Sequence, residues 1–227
     1  MKTSITWLLC FLTGLTLMVL SAVIFPLFPQ DMAMPNGIDS PVIAFEFARN
    51  YADLVAVFGP IDDPLRTERI LAMDQGNRLD MVYMVIYSAF IALFFWAAFL
   101  RNRRVIWLAF MAIGLLAGVA DAIENSILFG ITEDLEIAHH LNWLPYPVHA
   151  KFLSLYLCAF GVGLFLKNSI KGLLRMFGIS LLLLSPIAII LMFAGHATTA
   201  TLVITLAWLA QLFIAYSEYS REKRMAA

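Results

Sequence analysis

Asp80, Tyr83 and Tyr87 follow one another at intervals of three and four residues, so an α-helix puts all three on one face. Asp121, Glu124 and Asn125 repeat that spacing, and a third segment carries His149, Lys151 and Ser154. Carboxylates, an ammonium, an imidazole and phenols in this company allow ion pairing, general acid–base work, proton transfer or recognition of a polar ligand. Their surroundings narrow the choice. Each group is embedded in an apolar run, where a charge turned toward lipid costs about 2.5–3.5 kcal/mol. These side chains are therefore expected to turn inward and meet.

The elements that must hold them are membrane helices. The chain has 227 residues, of which 62% are hydrophobic and 14% charged, with a mean hydropathy of +0.84. A soluble domain keeps roughly a quarter of its residues charged. Crossing about 30 Å of hydrocarbon takes about 20 apolar residues at 1.5 Å each. Six segments meet or approach that length: 5–25, 81–100, 105–129, 148–166, 173–194 and 198–217. Their apolar runs are continuous and do not alternate, which indicates helices rather than barrel strands. The expected fold class is all-α, a polytopic bundle forming one membrane domain over residues 1–227. The first segment exceeds the apolar stretch of about 7–15 residues in a signal peptide and has no small-x-small site before Phe25-Pro26, so it reads as an uncleaved helix.

Basic residues set the expected orientation. Arg101, Arg103 and Arg104 join the second and third spans, Lys167, Lys171 and Arg175 the fourth and fifth, and Arg221, Lys223 and Arg224 follow the sixth. With Lys2, all fall on one side of six alternating spans. That side reads as cytoplasmic, with both termini there. The connection between spans three and four carries Glu133, Asp134 and Glu136 instead. On this topology Asp80, Asp121, Glu124 and Lys151 all lie within about 10 Å of the outer interface. Lys151 is expected to pair with Asp121 or Glu124, with Tyr83 and Asn125 donating hydrogen bonds. Gly114 and Gly118 permit a close neighbour for the third span. Several carboxylates then face one lysine. Either a carboxyl keeps its proton, or Arg49 or Arg78 reaches in from the loop.

That loop, residues 26–80, reads as extracytoplasmic. Pro41 to Phe58 predicts an amphipathic helix, with Ser40 as cap and Pro41 in its first turn. Glu46, Arg49, Asn50 and Asp53 fall on one face of it and read as a solvated surface; Gly59-Pro60 ends it. A second short helix is expected over 64–73. Glu136, His139 and His140 are a weak candidate for metal ligation, and no metal site is expected. Nothing points to a particular cofactor. Cys10 and Cys158 lie in apolar segments with no Cys-x-x-Cys pair, so disulfide chemistry is not expected. A net charge of −1 gives no general attraction for nucleic acid.

The runs Phe45-Glu46-Phe47-Ala48-Arg49, Leu79-Asp80-Met81-Val82-Tyr83 with Tyr87, Ala120-Asp121-Ala122-Ile123-Glu124-Asn125, and Lys151-Phe152 together resemble a group of uncharacterised bacterial multi-pass membrane proteins. That group has a Phe-Glu-Phe/Leu-Ala stretch after the first helix, an Asp-Phe-Leu-Phe-like start to the next, then Asp-x-x-Glu-Asn and Lys-Phe/Trp in successive helices. The likeness covers residues 42–166 and departs at Met81-Val82-Tyr83. It implies a bacterial inner-membrane protein and brings no activity with it.

Three function classes follow. The first is a module that binds or transports a lipid-like or other small ligand through the buried polar cluster. The second is an intramembrane enzyme acting on a lipid or isoprenoid, with Asp121, Glu124 or His149 as acid or base. The third is an assembly or scaffold subunit. Expected partners are membrane lipids and a second copy or another membrane protein.

Overall fold

Six apolar runs become six long helices. The computed structural model describes residues 3–30, 38, 40–137, 139–169 and 171–226. The helices are α1 (Thr3–Ile24), α2 (Pro41–Glu46), α3 (Tyr51–Phe58), α4 (Arg66–Asn102), α5 (Ile106–Glu133), α6 (Pro145–Ser169), α7 (Leu173–Phe193) and α8 (Ala197–Ala226). Among the described residues there is no strand. All but α2 and α3 contain a stretch long and apolar enough to cross a membrane. The protein is therefore a polytopic helical membrane bundle.

Helices α1 and α5 flank α4, α5 and α7 flank α6, and α7 and α1 flank α8, so the six close into a ring. Helix α6 also touches α8 and is the most enclosed of the set. Val19 and Val23 on α1, Val119 and Ile123 on α5, Ile190 on α7, and Leu202 and Phe213 on α8 are exposed. In water such patches would drive aggregation, whereas in a bilayer they are the lipid contact.

The two ends of the bundle differ. At one end Arg101 of α4 pairs with Glu218 of α8 at 2.6 Å. Just inside this basic end lies an aromatic plug. Phe165 meets Trp7, Phe94 and Trp107 edge-on, with ring centres 5.3–6.2 Å apart, and all four are fully buried. The opposite end is capped by α2, against α5, and α3, against α4.

The cap departs from the expected single helix over 41–58, which breaks at residues 47–50. Asn50 takes an extended conformation and accepts the Asp53 backbone N–H at 3.1 Å. The Asp53 carboxylate in turn accepts the N–H groups of Arg49 and Asn50 at 2.7 and 3.2 Å. This capping box satisfies N–H groups that the first turn of a helix leaves without an i−4 partner, and so starts a new helix at Tyr51. Asn50→Ala is expected to cost about 1 kcal/mol locally. Faster amide exchange across α3, with the spanning helices unchanged, would register it; unaltered protection in α3 would rule it out.

A second departure is the start of α4 at Arg66, well before the apolar run at 81. The short helix expected over 64–73 is its first part. Its polar early turns are anchored on the loops, with Arg66 on Glu136 at 2.7 Å and Arg69 on Asp63 at 2.8 Å. The Asp63 carboxyl is held below its usual range, chiefly by the Leu65 N–H and also by Arg69.

Candidate functional site

Lys151 of α6 is the centre of the site. Its Nζ lies 2.6 Å from Glu124 Oε1, 2.9 Å from Glu46 Oε1 and 3.4 Å from Asp121 Oδ1. These four residues are buried, none more than 6% exposed. One ammonium thus joins α2, α5 and α6. An ion buried to this degree needs such company, because desolvation of an unpaired charge costs several kcal/mol.

The network extends into α4. Tyr87 donates to Asp121 Oδ2 at 2.8 Å. The Asn125 amide donates to Asp80 Oδ2 at 2.7 Å and reaches Asp121 Oδ1 at 3.4 Å. Helices α4 and α5 approach closely enough for this because Gly114 packs on Ile91 and Gly118 on Ser88; a Cβ at either would overlap those side chains. The cluster of Asp80, Asp121, Glu124, Asn125 and Lys151 therefore forms as one connected group.

Three expectations about the site change. Tyr83 does not donate to a carboxylate among the described contacts. Its hydroxyl lies 3.2 Å from that of Ser21, and its ring meets Tyr87 and Trp208. Tyr87, one turn further on, makes the carboxylate bond instead. His149 stands outside the cluster: Nδ1 donates to the Pro145 carbonyl at 2.6 Å and the ring stacks on Phe193 at 5.0 Å. Residues two apart on a helix point about 200° apart, so His149 and Lys151 cannot share a face. Neither loop arginine reaches in. Arg49 donates to the Ala48 and Glu46 carbonyls at 2.8 and 3.3 Å, and Arg78 is exposed.

The residue that sequence reasoning missed is Glu46, placed there on a solvated face. It is 6% exposed and carries a direct bond to Lys151. A signal existed, since the run 41–48 holds no other polar side chain. Burial pushes the Glu46 carboxyl above the ordinary carboxylate range; Lys151 offsets part of this and Asp121 adds to it. No donor reaches Oε2 of Glu46 or Oε2 of Glu124 unless one of these neighbouring carboxyls carries a proton toward the other.

Beside the cluster lies a cavity of about 270 Å³. It is lined by Glu46, Asp80, Asp121 and Lys151, by apolar residues that include Ile24, Ile43, Leu155 and Ile204, and by hydroxyl side chains such as Ser21, Thr198 and Thr201. Tyr83, Tyr87 and Trp208 form an aromatic side, with Tyr87 stacked on Trp208 at 5.6 Å. Helices α1 and α8 touch lower down, where Phe11 meets Tyr216 at 5.2 Å. Toward the capped end the cavity lies between them, and two of its lining residues, Phe25 on the turn after α1 and Thr205 on α8, are exposed on that flank.

The Glu136 carboxylate is engaged by Tyr51 and Arg66 at 2.9 and 2.7 Å. The His140 ring lies over Gly130, and the side chain of His139 lies outside the described residues. Among the described residues no group of three His, Cys, Asp or Glu side chains is placed to hold a metal. Comparison of the chain with models of known families, with curated proteins and with solved structures finds no match.

Proposed function

We propose that the protein binds an amphiphile drawn from the bilayer, its polar head against the Lys151 cluster and its chain on the apolar wall of the cavity. The observation that carries this reading is the cavity itself. Its lining combines the charged side chains of Glu46, Asp80, Asp121 and Lys151 with apolar and aromatic residues of α1, α2, α4, α6 and α8, and two lining residues, Phe25 and Thr205, are exposed. A volume of about 270 Å³ lies just below the range of ligand pockets, which run from about 300 Å³ upward. It holds a head and the near part of a chain, with the rest remaining in lipid. The basic end of the bundle favours both termini on the cytoplasmic side, and the resemblance over residues 42–166 implies a bacterial inner membrane. On that orientation the cavity opens at the outer leaflet.

Filling the cavity tests the reading. Thr201 lines it, and its hydroxyl bonds only its own helix, to the Thr198 carbonyl at 2.7 Å. Thr201→Trp is expected to lower co-purifying amphiphile at least tenfold, read by native mass spectrometry, with elution volume unchanged. An undiminished load on a correctly folded variant removes the proposal.

Catalysis on a lipid or isoprenoid is the second reading. It is favoured by Glu46 and Asp80, two carboxyls standing on the wall of a ligand-sized cavity. Accumulation of an unconverted lipid in a deletion strain would select it over simple binding.

A further inference from the structure

The kind of head this cavity recognises follows from what the site has in surplus and what it lacks. A lysine ammonium has three N–H donors. Three carboxylate oxygens at 2.6, 2.9 and 3.4 Å take all of those on Lys151. No lysine donor is left for a phosphate or carboxylate head, and three carboxylates, Glu46, Asp80 and Asp121, line the cavity where its charge would sit.

Acceptors are in excess. Glu46 lines the cavity and is buried, and its Oε2 receives no donor beyond a proton shared with Glu124. Asp80 also lines the cavity; it receives the Asn125 amide on one oxygen and has no ion-pair partner among the described residues. The buried hydroxyl of Thr198 also lines the cavity without a partner, and it can accept as well as donate. Beside them stand the rings of Tyr83, Tyr87 and Trp208, whose faces attract cations. Negative charge, spare acceptors and aromatic faces together ask for a ligand that is positive and rich in N–H.

We propose, resting on the amphiphile-binding reading above, that the head is a primary ammonium on an alkyl chain, donating to Asp80 and Glu46 and lying against the rings of Tyr83, Tyr87 and Trp208.

Dodecylamine is the probe, since an alkyl ammonium is protonated at pH 7. Its radiolabelled form is titrated onto the purified full-length protein in detergent, and dodecanol and dodecyl phosphate serve as competitors with the same chain. Saturable binding of one dodecylamine per chain is expected, with both competitors at least tenfold weaker. Asp80→Asn and Glu46→Gln keep shape and remove charge. Each is expected to weaken dodecylamine at least tenfold while changing dodecanol less than twofold. Should neither fold, Trp208→Leu takes their place, with at least a threefold loss confined to the amine.

Dodecanol or dodecyl phosphate binding as tightly as the amine, in a manner abolished by Thr201→Trp, overturns the ammonium head and leaves the amphiphile reading standing. An amine affinity unmoved by Asp80→Asn, Glu46→Gln or, in their place, Trp208→Leu also overturns the ammonium head. Absence of saturable binding by all three probes, or binding that Thr201→Trp does not alter, overturns both.

Discussion

Lys151→Met is expected to destabilise the bundle by about 3–5 kcal/mol, the cost of leaving buried charges without their partner. The reason is arithmetic of charge. Glu46, Asp121 and Glu124 all lie within 3.4 Å of this one ammonium, whereas the loop Arg49 is held by the Glu46 and Ala48 carbonyls. Methionine preserves the length and apolar stem of the side chain, so the loss reports the charge rather than a void. Thermal unfolding in detergent measures it. Lys151→Met combined with Glu124→Gln should recover part of the loss, because the double variant removes one stranded carboxylate along with the cation. A single variant that melts with the parent protein would show that the ammonium is not holding α2, α5 and α6 together. A single variant that folds but loses amphiphile would instead place the lysine's role in binding.

The second large effect is at the contact between α6 and α7. Gly163 and Gly178 are both buried, and their backbones meet. A Cβ added at Gly178 would lie 2.9 Å from the Gly163 carbonyl oxygen and 2.6 Å from the Leu166 Cβ. One added at Gly163 would lie 2.8 Å from the Gly178 carbonyl oxygen. The obstacle is backbone on a rigid helix and cannot rotate away. Small residues at such crossings are what bring membrane helices together, because lipid leaves van der Waals packing as a principal attraction. Gly178→Val should therefore cost about 1–3 kcal/mol, seen as a lower melting temperature and easier proteolysis of the connection around Lys171. Parent-like melting of Gly178→Val would mean the two helices separate without penalty.

The spans were legible because hydrophobicity acts locally: an apolar run of membrane length has one low-energy outcome. The faces were legible too, since periodicity alone aligns Asp121, Glu124 and Asn125. Partners were not. Tyr83 and Tyr87 lie one turn apart on the same face of α4, and which of them meets Asp121 depends on how far α4 is shifted along α5. Glu46 was misplaced for a different reason. A helical wheel drawn over 41–58 gives it polar neighbours, but the capping box at Asn50 breaks the wheel, and after the break Glu46 belongs to an otherwise apolar segment. The early start of α4 was hidden because helix continuing beyond a membrane carries no hydropathy signal.

The order in which the ion cluster is synthesised has its own consequence. Glu46, Asp80, Asp121 and Glu124 all precede Lys151, with Glu46 emerging 105 residues ahead of it. During biosynthesis the acidic members leave the ribosome before Lys151, the ion-pair partner of Glu46, Asp121 and Glu124, exists. They must wait hydrated, or carrying protons, until α6 is inserted, so arrival of that helix is the step that licenses the cap to settle.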